Sequence, residues 1–78
     1  MPVLRLFAQA REAAGVGRSE IEGSTVAQVL AAAGARYGEG FAAVAAGSKV
    51  WVNGQPAEGH DVVGPGDEVA VLPPVSGG

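Results

Sequence analysis

The chain has 78 residues, 47% of them apolar, with five Lys and Arg against eight Asp and Glu for a net charge of -3; this is one domain with a modest core, and a disordered chain is excluded. Without cysteine, and with His60 as its one histidine, it excludes disulfides, iron–sulfur clusters, thiolate or histidine metal centres and Cys- or Ser/His-based nucleophiles. Its basic residues, Arg5, Arg11, Arg18, Arg36 and Lys49, are scattered along the sequence and no apolar run approaches a membrane span, which argues against a nucleic-acid or membrane partner.

Val3 to Ala8 predicts a first strand, with Leu4, Leu6 and Ala8 on the core face and Val3, Arg5 and Phe7 on the more open one. Gln9 to Gly17 is a connection with a turn of helix at Arg11 to Ala14, closed by Gly15. Ser19 to Glu22 reads as a short second strand returning beside the first, ended by Gly23. Thr25 to Gln28 matches a capping box. It opens a helix from Val26 to about Tyr37, whose residues Val26, Val29, Leu30, Ala33 and Tyr37 share one face. Gly38 and Gly40 stop it, and Phe41 to Ala46 is a weaker, alanine-rich turn.

Lys49 to Asn53 predicts a third strand, with Val50 and Val52 inward and Trp51 outward, and Asn53-Gly54 signals a turn. His60 precedes Asp61 in a loop. Gly64 to Asp67 is a tight turn before the last strand, Glu68 to Leu72, in which Val69 and Val71 face inward and Ala70 and Leu72 outward. Pro73-Pro74 then halts sheet pairing, because proline donates no hydrogen bond, and stiffens the exit. The order strand, strand, helix, strand, short strand, strand predicts an α+β sandwich, a mixed sheet with one main helix packed across one face. Phe7, Trp51, Ala70 and Leu72 would lie on the other face, near the base of the tail, where apolar residues suit docking.

The sequence closes with Val75-Ser76-Gly77-Gly78. A terminal glycine pair presents a carboxylate on a thread without side chains, able to enter a channel that any Cβ would obstruct. With so little side-chain chemistry elsewhere, the reactive group expected of this chain is that carboxylate. An acidic body suits a partner with a basic pocket or channel, and with no signal peptide opening the chain the expected compartment is the cytoplasm.

Three segments together resemble one family: Phe7-Ala8-Gln9-Ala10-Arg11-Glu12, Val52-Asn53-Gly54, and Gly66 to Ala70 leading into Leu72-Pro73-Pro74-Val75-Ser76-Gly77-Gly78. The chain resembles the MoaD small subunits of molybdopterin synthase, which belong to the ubiquitin-like β-grasp sulfur carriers, over essentially its whole length. The resemblance implies a ubiquitin-like domain over residues 1–72 and a flexible sulfur-carrying tail over 73–78. It implies that a MoeB-like activating enzyme uses ATP to adenylate Gly78 and that a sulfur donor then makes the thiocarboxylate. Gly77 and Ser76 would thread a channel of a MoaE-like large subunit, with Val75 and Pro74 at its mouth. Sulfur would pass to cyclic pyranopterin monophosphate in molybdenum cofactor synthesis, with the catalytic groups on the large subunit and no cofactor bound by this chain. Phe7, Leu72, Arg11 and Trp51 would form the partner interface, although Trp51 is bulkier than the resemblance leads one to expect. Three other readings stay open: a sulfur carrier for thiamine or cysteine synthesis, a ubiquitin-like modifier joined through Gly78, and a binding module with an inert tail.

Overall fold

Alternating apolar and polar residues build the sheet. The computed structural model describes residues 1–74 and contains β1 (Val3–Leu6), β2 (Arg18–Glu20), β3 (Lys49–Val52), β4 (Gln55–Pro56) and β5 (Glu68–Leu72). Their order in the sheet is β2-β1-β5-β3-β4. β1 and β5 run parallel, with Leu4 opposite Val69 and Leu6 opposite Val71. The other neighbours are antiparallel. The last strand therefore lies at the centre of the sheet. Its Val69 and Val71 are fully buried with Leu4 and Leu6, as period-two alternation predicts.

Three helices, α1 (Ala8–Ala14), α2 (Val26–Tyr37) and α3 (Glu39–Ala46), join the sequence between these strands. Val26, Val29 and Ala33 of α2, Phe41 and Ala45 of α3 and Ala10 of α1 form one cluster with the buried valines and leucines of the sheet. The architecture is the expected α+β sandwich, with helices on one face of a mixed sheet.

α2 has the predicted bounds, and its entry is more completely hydrogen-bonded than a capping box alone provides. The Gln28 N–H donates to Thr25 Oγ1 at 3.2 Å. The Gln28 side chain reaches back one residue further than expected and accepts from the Ser24 N–H at 2.8 Å. The N–H groups of Val26 and Ala27 donate to the carbonyls of Asp61 and Gly59. The first turn thus has partners for donors that a helix leaves without intrahelical acceptors.

Four expectations are corrected. The first strand stops at Leu6, and Ala8 is an exposed residue with φ 50 that opens α1 instead of packing in the core. The segment from Ala8 to Ala14 is rich in strong helix formers, and these extend the predicted single turn backwards to seven residues. The second strand covers Arg18–Glu20, not Ser19 to Glu22; Ile21 is buried, and its N–H donates to the Pro2 carbonyl. The alanine-rich turn is an eight-residue helix that supplies Phe41, which is fully buried. The Phe41 ring meets Tyr37 edge-on at 5.5 Å between centroids, a favoured aromatic geometry. The Tyr37 hydroxyl donates to Ser19 Oγ at 2.7 Å and ties α2 to β2.

Asn53 and Gly54 turn β3 into β4 with φ values of 50 and 82, as a tight hairpin of the Asn-Gly kind requires. Asn53 also fastens the approach to β5. Its amide donates to Asp67 Oδ1 at 3.0 Å, and its Oδ1 accepts from the Glu68 N–H at 2.9 Å.

Candidate docking face and tail exit

The pairing register settles what shares the face opposite the helices. Arg5 lies opposite Ala70, and Ala70 lies opposite Trp51. Trp51 in turn lies opposite Pro56. Two residues along, Lys49 lies opposite Leu72. Residues in one such row have side chains on the same face. The row therefore holds Arg5, Ala70 and Trp51 on the outer surface, and Leu72 and Lys49 follow in the next outward row. Trp51 and Leu72 are half-buried. Trp51 also borders a cleft at the edge of the sheet that Val26, Leu30, Val50 and Ala57 line.

Phe7 follows β1 in extended backbone, with φ -130 and ψ 154, and caps α1 without a side-chain hydrogen bond. It is 39% exposed, too much for a core aromatic, and the Arg5 guanidinium carbon lies 5.8 Å from its ring centroid. That is within cation–π range. Phe7 and Arg11 border one depression together with Arg5, Leu6, Gly17 and Arg18. The structure thus brings Phe7 and Arg11 together and adds Arg5 and Arg18, which sequence reasoning did not single out.

Leu72 and Pro74 belong to a second place, the exit of the chain from β5. Pro73 and Pro74 flank two hollows there. Gly47, Lys49 and Leu72 line one, and Gln9, Ala43, Val44 and Gly47 line the other. The exit therefore passes the end of α3 and the start of α1. Lys49, the one lysine of the sequence, stands beside it. Val75, Ser76, Gly77 and Gly78 lie outside the described residues.

The titratable groups add little chemistry of their own. Hydrogen bonds from the Gly64 N–H and then from the Asn53 amide hold the Asp67 carboxyl below its usual range, because both stabilise the anion. Its role is to fix the turn before β5, as sequence reasoning expected. His60 is exposed near Glu58, with Nε2 to Oε2 at 3.5 Å. Among the described residues no group of three His, Asp or Glu side chains is placed to hold a metal ion, and no helix is long and apolar enough to cross a membrane.

A mixed sheet in the order β2-β1-β5-β3-β4, with parallel β1 and β5 at its centre and helices over one face, defines a ubiquitin-like β-grasp protein. The chain belongs to the ThiS family, whose profile matches residues 4–78, and so to the ThiS/MoaD-type ubiquitin-like sulfur carriers and modifiers. It is similar to SAMP1 from Haloferax volcanii, at 30% identity and TM-score 0.79 over 99% of this chain and 98% of that one. It is also similar to a putative molybdopterin converting factor subunit 1 from Pyrococcus furiosus, at 29% identity and TM-score 0.82 over 95% and 97%. CysO, in a complex with BexX from Amycolatopsis orientalis, shares the fold at 21% identity and TM-score 0.84, with 100% of both chains covered. No curated protein matches the sequence.

Proposed function

We propose that this chain carries sulfur as a thiocarboxylate on Gly78 and delivers it in molybdopterin synthesis, as the small subunit of a molybdopterin synthase. The observation that carries the proposal is the placement of the exit. In a chain of the ThiS family, β5 leaves the centre of the sheet between the outer face and the end of α3. Pro73 and Pro74 leave β5 beside the outer face, which supports reading residues 1–72 as a body that can hold a partner and residues 73–78 as its tail. The similarity to a putative molybdopterin converting factor subunit favours this acceptor pathway.

The chemistry follows from the carboxylate. A carboxylate resists nucleophilic attack, so a MoeB-like enzyme spends ATP to convert Gly78 to an acyl-adenylate with AMP as leaving group. A sulfur donor displaces AMP and leaves the thiocarboxylate, whose sulfur is nucleophilic and releasable. Gly77 and Ser76 thread the channel of a MoaE-like large subunit, and Val75 and Pro74 sit at its mouth. Catalytic side chains come from the partners, whose cationic groups stabilise developing charge. Phe7, Leu72, Arg11 and Trp51 dock the body, which offsets the entropy lost when the tail orders. This chain binds no cofactor itself and acts in the cytoplasm, where ATP is available.

The test is the intact mass of the chain after incubation with an activating enzyme, ATP and a sulfur donor, with a Gly78 deletion as control. The expected result is a gain equal to exchange of one oxygen for sulfur, absent in the control. No gain with an enzyme proven on another carrier sinks the proposal. The similarity to SAMP1 supports a second reading, a modifier joined to lysines through Gly78. Products in which Gly78 is amide-linked to lysines of other proteins would favour it.

A further inference from the structure

We infer that the corner formed by Arg5, Phe7, Arg11 and Arg18 is a docking site for an acidic segment of a partner protein. The inference deepens the docking role proposed above for Phe7 and Arg11 and in that part rests on it, but it holds whichever molecule accepts the sulfur.

Three of the five basic residues of an acidic chain border this one depression. Only Arg36 and Lys49 are left for the seven Asp and Glu other than Glu68, which lies beside Arg5. The gathering is a product of the fold, since the three arginines come from β1, α1 and β2.

The arrangement works against folding. Arg5 and Arg18 are directly opposite each other in the antiparallel β1–β2 pair, and like charges in that position destabilise a sheet. Arg11 brings a third charge to the same place. Its Nε lies 3.3 Å from where a Cβ on Gly17 would stand, so the bare glycine makes room for the arginine against the chain entering β2. Neutralisation is slight. Arg5 Nη1 lies 3.4 Å from Glu68 Oε1, with the two side chains 40% and 46% exposed, and such an exposed pair contributes little. Arg11 and Arg18 have no ion pair among the described residues. An anion brought from outside would relieve this repulsion.

Phe7 decides which anion. A guanidinium binds a carboxylate through two parallel hydrogen bonds, and the exposed ring beside Arg5 offers an apolar contact that a bare phosphate cannot use. A nucleic-acid backbone would run on from the corner over the acidic surface, within the roughly 8–10 Å reach of its repulsion at ordinary salt. A short peptide with two or three carboxylates and one apolar side chain matches the corner in charge, extent and polarity.

The experiment is an amide-shift titration of the whole chain by NMR with three probes: N-acetylated hexaglutamate, the same peptide with a leucine in its third position, and inorganic pyrophosphate. The expected shifts cluster at residues 5–7, 11 and 17–18 and weaken with salt. Each of Arg11→Ala and Arg18→Ala should weaken peptide binding about fivefold. Arg18→Ala should not lower Tm, because it removes the like-charge pair. The leucine-bearing peptide should bind more tightly, and Phe7→Ala should erase the difference. Peptide shifts elsewhere or nowhere, or an affinity unchanged when both arginines are replaced, would overturn the inference. Pyrophosphate binding at the corner without peptide binding would reassign it to phosphate. None of these outcomes touches the mass gain on Gly78, so the two readings fail separately.

Discussion

Gly15 and Gly23 show how two glycines in one chain can be required for different reasons. Gly15 closes α1 at φ 80, and a Cβ there would meet nothing within 4 Å. Only the left-handed backbone penalises a substitution, so Gly15→Ala should cost about 1 kcal/mol. Gly23 has φ 151, and a Cβ there would lie 2.8 Å from both Val29 N and Val29 Cγ2. The neighbour is helix backbone and cannot give way cheaply, so Gly23→Ala should cost about 3 kcal/mol. Urea unfolding of the two variants tests the contrast; equal losses would mean that the approach of Gly23 to α2 is not tight in solution. Asp67 sets a pH dependence at the same scale. Its carboxyl titrates below the usual 3.8 because the Gly64 N–H and Asn53 amide bind the anion. A group with a folded pKa below its unfolded one adds stability that is complete above the unfolded value and disappears as pH falls through the folded value. Tm should therefore decline below about pH 4, and less steeply in Asp67→Asn than in the parent chain. Parallel declines would show that other carboxylates govern acid unfolding.

At the scale of elements, what the sequence revealed depended on whether a helix carried its own punctuation. α2 was legible to the residue because Thr25 and Gln28 cap it, an apolar stripe runs through it and Gly38 ends it. The backbone acceptors supplied by Gly59 and Asp61 were not legible, since they come from a loop distant in sequence. α3 has no side-chain cap and contains Gly40, a weak helix former, so its alanines read as a turn. Yet Phe41, Val44 and Ala45 do follow helical spacing, and tertiary packing supplies what propensity lacks. The two helices therefore respond differently to substitution. Thr25→Ala removes one acceptor and should cost about 1 kcal/mol, or a fall in Tm of about 4–8 °C for a domain of this size. Phe41→Ala empties the centre of the core and should cost about 3–5 kcal/mol, much of the stability of a small domain. Calorimetry that found the two variants equally stable would contradict the placement of Phe41.

At the scale of the whole molecule, the pattern of strands and one capped helix was enough to predict the sandwich, whereas strand register was not visible. Register is what put Arg5 opposite both Ala70 and Arg18 and aligned Ala70 with Trp51. The outward placement of Trp51, Ala70 and Leu72 followed from alternation alone, whereas Phe7 lies beyond the end of β1 and the arginine corner depends on which residues of distant segments meet. The proposed function gives the body and the tail separate tasks. Gly77 and Gly78 follow two prolines in the sequence and come after Val71, the last core residue among those described. Deleting both should leave Tm and binding to a MoaE-like subunit nearly unchanged while sulfur transfer falls to background. Leu72→Asp should do the reverse. It puts a charge on the outer face beside the exit, so affinity should fall about tenfold or more, while loading at saturating activating enzyme still yields the thiocarboxylate. Calorimetric titration against the large subunit, paired with intact mass after loading, separates the two effects. Retained transfer after the deletion would rule out Gly78 as the sulfur-bearing group, and unchanged affinity in Leu72→Asp would move the partner off this face.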